Sequence, residues 1–88
     1  MEIKAGSVVI SSAGHDKNRF MVVVGADGEK ILVADGKERK LQSPKKKNIK
    51  HVRKTLYQID IEELTDKKLR RTLRELSEKA ESTLQESE

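Results

Sequence analysis

The sequence predicts a small, mainly β domain followed by one amphipathic α-helix. Two observations predict this class. Short β-branched runs separated by glycine-containing turns fill the first part of the chain, and the second part changes to a helical period without glycine or proline. A chain of 88 residues can bury only one sizeable core. We therefore expect a β domain over residues 1–56 and a helical extension over residues 57–88.

Three apolar runs have the length and composition of short buried strands: Ser7–Ser11, Phe20–Val24 and Ile31–Ala34. The turn Gly25–Gly28 joins the second run to the third, because Asp-Gly accepts the positive φ angle of a tight hairpin. We expect a fourth strand at Arg39–Gln42 and a fifth at Asn48–Lys54. Pro44 cannot donate to a β ladder, so Ser43–Lys47 is predicted to be a loop between them.

Five short antiparallel strands in about fifty residues predict a strongly bent sheet that closes into a barrel, since closure removes the exposed edges of a small flat sheet. The expected fold is thus a small SH3-like β-barrel with a C-terminal amphipathic helix.

The helix is predicted from a leucine stripe with steps of three and four residues, formed by Leu69, Leu73, Leu76, Ala80 and Leu84. Thr65 and Asp66 precede the stripe as capping candidates. The stripe has to be buried, and two partners remain open at this point. It packs across the barrel to complete a small core, or it docks on a second copy or a partner protein.

Composition argues against several classes of function. The chain has no cysteine, hence no disulfide framework, and its longest early apolar run, Val8–Ile10, is too short for a signal peptide or a membrane span. We expect a cytoplasmic protein that does not bind membranes. The two histidines, His15 and His51, do not have the spacing of metal ligands, and no nucleophile stands beside a base. We therefore expect no enzymatic activity, no metal or cofactor, and no small-molecule substrate.

Positive charge is concentrated in the segment Lys37–Lys54. It holds nine basic residues and one acidic residue, Glu38, a formal charge of +8, whereas the whole protein carries +4. Such clustering is typical of polyanion binding through phosphate neutralisation. The alternative to polyanion binding is that these basic residues only form a solvent-exposed face. The predicted RNA-binding residues are Lys17, Arg39, Lys40, Lys45, Lys46, Lys47, Asn48, Lys50, His51 and Arg53.

The chain has only two aromatic residues besides histidine, Phe20 and Tyr57, so it lacks the stacking platforms of single-strand readers. Phe20 lies in an apolar run and is expected in the core. Folded RNA, recognised by its shape and phosphates, is therefore the favoured partner. His51 is expected at the RNA face or packed on the barrel, and the loop around His15 and Lys17 is either part of that face or an ordinary exposed turn.

Several segments together resemble a KOW motif, which occurs in ribosomal proteins and transcription elongation factors. They are Gly6-Ser7-Val8-Val9, Ala13-Gly14, Asp16-Lys17, Phe20–Val24 and Ile31–Gly36. The continuation Asn48-Ile49-Lys50-His51 is similar to large-subunit ribosomal proteins of the archaeal and eukaryotic L-fourteen-e type. Asn18 stands where many KOW segments have glycine. The resemblance covers about residues 4–54 and points to a bacterial relative of that family.

The resemblance implies an SH3-like barrel that binds structured RNA, ribosomal RNA above all, without catalysis. The second implied role is a KOW-type protein-interaction or adaptor module, in which the basic segment or the C-terminal helix contacts the ribosome or another protein partner.

Overall fold

The computed structural model describes residues 3–12, 14 and 17–86, with side chains described as far as residue 79. It contains a five-stranded antiparallel sheet and a C-terminal helix, so the predicted mainly β class is confirmed. The elements are β1 (Ser7–Ser11), β2 (Phe20–Asp27), β3 (Lys30–Ala34), β4 (Lys45–Asn48), a 3₁₀ turn (Ile49–His51), β5 (Val52–Gln58) and α1 (Asp66–Glu86). Within these described residues, no helix has the length and hydropathy needed to cross a membrane.

The strand order β4-β3-β2-β1-β5 places β4 and β5 at opposite edges of the sheet. In a flat sheet those edges would lie about 19 Å apart, at about 4.8 Å per strand. Yet only Ile49–His51 separates the end of β4 from the start of β5, and such a link spans at most about 14 Å. The sheet is therefore strongly curled. Within the described chain β4 and β5 do not pair, so hydrogen bonds do not close it.

One face of the sheet is enclosed by this curvature. Its buried side chains are Val9, Met21, Val23, Ile31, Val33 and Val52, with Ile3 packed against them. The helix lies on the other face, so the strands, together with Ile3, exclude water from this cluster. Register shifts between Val23 and Gly25 in β2 and between Ser7 and Val9 in β1 mark irregularities of the bulge type, which bend strands and increase their twist.

The other face of the sheet is covered by α1. Leu69 and Leu73 are buried against Val8, Val22 and Ala34. Phe20 and Tyr57 are partly buried in the same cluster, which agrees with the expected core position of Phe20. Of the two partners left open for the leucine stripe, the structure shows packing on the sheet. Ala80 and Leu84 lie outside the residues whose side chains are described.

The start of α1 follows from its capping residue. The Thr65 side-chain oxygen accepts a hydrogen bond from the Lys68 amide at 3.2 Å, which satisfies one of the amides that the first helical turn leaves without a partner. Asp66 does not cap in this way. Its carboxylate accepts from the Leu41 amide at 2.8 Å and so ties the helix to the turn that follows β3.

Three sequence predictions about the basic segment are wrong. Arg39–Gln42 is a turn rather than a strand, because the Asp35 and Asp66 carboxylates take the amides of Arg39 and Leu41 that a ladder would need. The predicted loop Ser43–Lys47 contains most of β4, since Pro44 directly precedes the strand, where its missing amide costs nothing. The last strand begins at Val52, because the Asn48 side chain caps a 3₁₀ turn instead.

The packing of α1 on the sheet predicts that the stability of the domain depends on this helix. Leu69→Ala removes a side chain with 0% exposure and should lower the free energy of unfolding by about 2–5 kcal/mol. Leu56→Ala, at a site that is 90% exposed, should change it by less than about 0.5 kcal/mol. Urea denaturation of both variants measures the difference. Equal effects would contradict the helix-on-sheet packing.

Candidate nucleic-acid interface

Strand β4 carries the three consecutive lysines of the basic segment. Its register sets Lys45 opposite Val33 and Lys47 opposite Ile31, which places both lysines on the enclosed face of the sheet. Since strand side chains alternate between faces, Lys46 lies on the opposite face. Lys47 is only 8% exposed, whereas Lys46 is exposed. Of the three lysines, Lys46 is therefore the best placed to meet a partner.

The 3₁₀ turn presents the next two predicted residues. Lys50 and His51 are both exposed. The Asn48 side chain accepts from the Lys50 amide at 2.9 Å, so its oxygen stabilises the turn. Two main-chain hydrogen bonds anchor the turn on either side: the Ile49 amide donates to the Glu29 carbonyl at 3.0 Å, and the Ser12 amide donates to the His51 carbonyl at 2.8 Å. Both exposed side chains thus stand on a fixed backbone.

Strand β5 continues the same surface. Val52 is buried in the enclosed cluster, and Arg53, paired with Ile10 of β1, points to the opposite face and is exposed. We call the set Lys46, Lys50, His51 and Arg53 the edge surface, because it follows β4, the 3₁₀ turn and the start of β5 without a break.

The edge surface belongs to a stretch of chain without acidic residues. No aspartate or glutamate occurs between Glu38 and Asp60. The β2–β3 hairpin brings one neighbouring acid, Glu29, through its main-chain contact with Ile49. Unlike a mixed surface, where neighbouring ion pairs cancel much of the field, these elements supply positive charge only.

The remaining predicted residues, Lys17, Arg39 and Lys40, lie outside the edge surface. Arg39 and Lys40 stand on the turn between β3 and β4, and Lys17 precedes β2. The Asp35 carboxylate organises that turn. One of its oxygens accepts from the amides of Lys37 and Arg39, each at 2.9 Å, and the other lies 3.4 Å from the Arg19 guanidinium. All three predicted residues are exposed.

Sequence reasoning missed a second group of basic residues. An open groove of about 650 Å³ lies between α1, the start of β2 and the turn after β3, and we call it the helix groove. Six basic residues line it: Arg19, Lys37, Lys67, Arg70, Arg71 and Arg74. Four of them belong to residues 55–88, which hold six basic and nine acidic residues and so sum to −3, and adding charges along the sequence concealed them. Their spacing of three and four residues was the available signal.

In the described part of the chain, no three histidine, cysteine or acidic side chains are grouped so that they could hold a metal ion. His51 lies on the edge surface. His15 lies outside the described residues.

Comparison with known proteins adds no relative. A scan against protein-family models and a search of curated proteins found no match for this chain. The likeness to KOW segments consequently depends on the quoted residues alone.

The hydrogen bonds that Asp35 accepts predict that Asp35→Ala destabilises the domain more than Asp35→Asn does. Asp35→Ala leaves the amides of Lys37 and Arg39 without an acceptor and should lower the free energy of unfolding by about 2–3 kcal/mol. Asp35→Asn keeps an acceptor oxygen, so it should cost clearly less. Asp27→Ala, at an exposed site, is the control, with an expected change within about 0.5 kcal/mol. Denaturant titration gives all three values. Equal losses for Asp35→Asn and Asp35→Ala would show that the ion pair with Arg19 matters more than the turn.

Proposed function

We propose that this chain is a noncatalytic, cytoplasmic RNA-binding domain of the KOW type, whose edge surface contacts structured RNA, with ribosomal RNA as the first candidate. The observation that carries the proposal is the exposure of Lys46, Lys50, His51 and Arg53 on consecutive elements without an acidic residue. Cations in this arrangement gain affinity by releasing the counterions condensed on a phosphate backbone.

The curled sheet supports the SH3-like part of the proposal. Its outermost strands, β4 and β5, are joined by a three-residue turn, so the sheet is already bent in the way that a barrel requires. Asn18 adopts a φ angle of +69°. Glycine adopts this left-handed conformation freely, and asparagine is among the few other residues that tolerate it. Asn18 thus holds a backbone conformation that glycine also adopts, so its presence at this position does not count against the resemblance.

The distribution of aromatic residues supports recognition by shape and charge. Phe20 and Tyr57 pack against the helix-side core, and the edge surface offers lysine, histidine and arginine instead of a row of rings. Lysine acts as an adaptable point charge, and arginine can bind a phosphate through two parallel hydrogen bonds.

Lysines on an outer strand also have a purely protective role, because they discourage pairing with other chains. That role accounts for Lys46 on β4. It does not account for Lys50 on the 3₁₀ turn, whose side chain guards no strand edge. The continuation of the charge beyond β4 thus favours a binding surface.

Titration with a fluorescently labelled RNA hairpin tests this proposal. A stem of about 16 base pairs is long enough to present two successive minor grooves. The double variant Lys50→Gln/Arg53→Gln should bind more weakly than the unmodified chain. The slope of log K against log salt should also become shallower by about 1–2 units, since two phosphate contacts are lost.

The matched control is Lys4→Gln/Lys68→Gln, which removes the same formal charge from two exposed sites away from the edge surface. It should leave the salt slope nearly unchanged. If the control weakens binding as much as the edge-surface variant does, net charge rather than this surface drives association, and the proposal is wrong.

A protein-interaction module is the second candidate, and Leu56 favours it. This leucine is 90% exposed on β5, an outer strand whose free edge can accept another strand. An acidic partner strand would meet Arg53 and Lys54 there. Competition with poly-glutamate distinguishes the two candidates. If poly-glutamate displaces the RNA hairpin at equal concentration of charge, an acidic protein becomes the better partner.

A further inference from the structure

The helix groove presents basic residues from three separate parts of the chain on one concave surface. Arg19 precedes β2, Lys37 follows β3, and the rest come from the first half of α1. Phe20 and Leu73 form its apolar floor. A concave basic surface with low-dielectric walls focuses positive potential more strongly than a flat surface of the same charge.

The helical residues form a row. Lys67, Arg70, Arg71 and Arg74 follow one another at steps of three, one and three residues, so they share one side of α1. At about 1.5 Å per residue the row is roughly 10 Å long. A row of this length can contact more than one phosphate of a nucleic-acid strand.

Contacts within the fold hold two of the groove's arginines in place. The Arg19 guanidinium pairs with Glu38 at 2.7 Å and with Asp35 at 3.4 Å. Gly36, at a φ angle of +79°, has no side chain, and a Cβ there would press against the Asp66 carbonyl and approach Arg70 Cγ to 3.1 Å. The glycine therefore lets the turn lie directly against α1 at Arg70.

Most of the groove's charge is not neutralised by the fold. Among the described residues that line the groove, Asp35 is the only carboxylate, and it is already engaged by Arg19 and two amides. Arg71 has a distant partner, Glu75, at 3.7 Å. Within the described chain, Lys37, Lys67, Arg70 and Arg74 form no ion pair.

The groove and the edge surface are neighbours across the sheet. Arg53 pairs with Ile10, and Ile10 pairs with Phe20, which forms part of the groove floor. Directly paired residues share a face, so these three side chains cross β5, β1 and β2 in one row on the helix side. Two strand spacings separate Arg53 from Phe20, about 10 Å.

We propose that the helix groove is a second RNA contact, which binds the phosphodiester backbone of the same RNA strand after it leaves the edge surface near Arg53. This inference rests on the proposed function. The short path across one face of the sheet, from a surface already proposed to bind RNA, favours a continuous phosphate chain over a separate acidic protein segment.

The test compares three double variants of the full chain with the same labelled RNA hairpin, each lowering the formal charge equally. They are Arg70→Gln/Arg74→Gln for the groove, Lys50→Gln/Arg53→Gln for the edge surface and Lys4→Gln/Lys68→Gln as control. Glutamine keeps the Cγ that lies near Gly36. The groove variant should raise Kd about fivefold to tenfold at moderate salt and reduce the salt slope by about 1–2 units. Arg70→Lys/Arg74→Lys should restore most of the affinity.

A second measurement does not depend on the stability of the variants. In the unmodified chain, NMR signals of the Arg70 and Arg74 Nε–H groups should shift on addition of the RNA hairpin. If these signals stay in place and the groove variant binds like the control while the edge variant does not, the groove inference is wrong and the proposed function stands.

Two further outcomes are decisive. If the unmodified chain does not bind the hairpin at all, the proposed function and the groove inference fail together. If poly-glutamate shifts the Arg70 and Arg74 signals and RNA does not, the groove binds acidic protein, and the inference is again wrong.

Discussion

The short connection between β4 and β5 constrains the whole domain. Three residues join the two outer strands of a five-stranded sheet, and no flat sheet permits that link. Curling encloses the cluster around Met21, Ile31 and Val33, and Ile3, which precedes β1, packs against it. It also brings the ends of β4 and β5 together, so that basic residues from both strands form one surface. The arrangement that buries the first core thus also concentrates the charge.

Enclosure of one face leaves the other face to the helix. A curled sheet of short strands has too little apolar surface inside it to stabilise a domain alone, and Leu69 and Leu73 supply the second core. The helix is fixed by its own leucines, by Thr65 at its start and by the Asp66 contact with Leu41. Its basic side is therefore held against the turn after β3, and the helix groove follows from packing that stability already requires.

Hydrophobic pattern predicted the parts of the fold in which burial determines structure. β1 and β3 begin or end within one residue of the predicted runs, and the stripe at Leu69, Leu73 and Leu76 predicted α1 together with its Thr65 cap. β4 was not predicted because its three successive lysines lack the alternation of apolar and polar residues that indicates a strand. The position of β4 is set by its antiparallel pairing with β3, and the sequence of β4 alone does not indicate that pairing. The turn at Arg39 likewise depends on hydrogen bonds that the Asp35 and Asp66 carboxylates accept, and local sequence preferences do not predict these bonds.

The candidate site was also predicted only in part from the sequence. The edge surface lies within the segment that charge clustering indicated, although Lys47 is mainly buried. The helix groove could not be found by adding charges along the chain, because Glu75 and Glu78 stand four residues after Arg71 and Arg74 and offset them in the sum. Helical periodicity groups the four cations of the row, but only the fold shows that Arg19 and Lys37 lie opposite them.

The most direct test of the account is ultraviolet crosslinking in cells, with sequencing of the bound RNA and identification of the crosslinked peptides. The account predicts enrichment of structured RNA, with crosslinks in the peptides that contain Lys46–Arg53 and Arg70–Arg74. Absence of enriched RNA, or crosslinks confined to other parts of the chain, would contradict it.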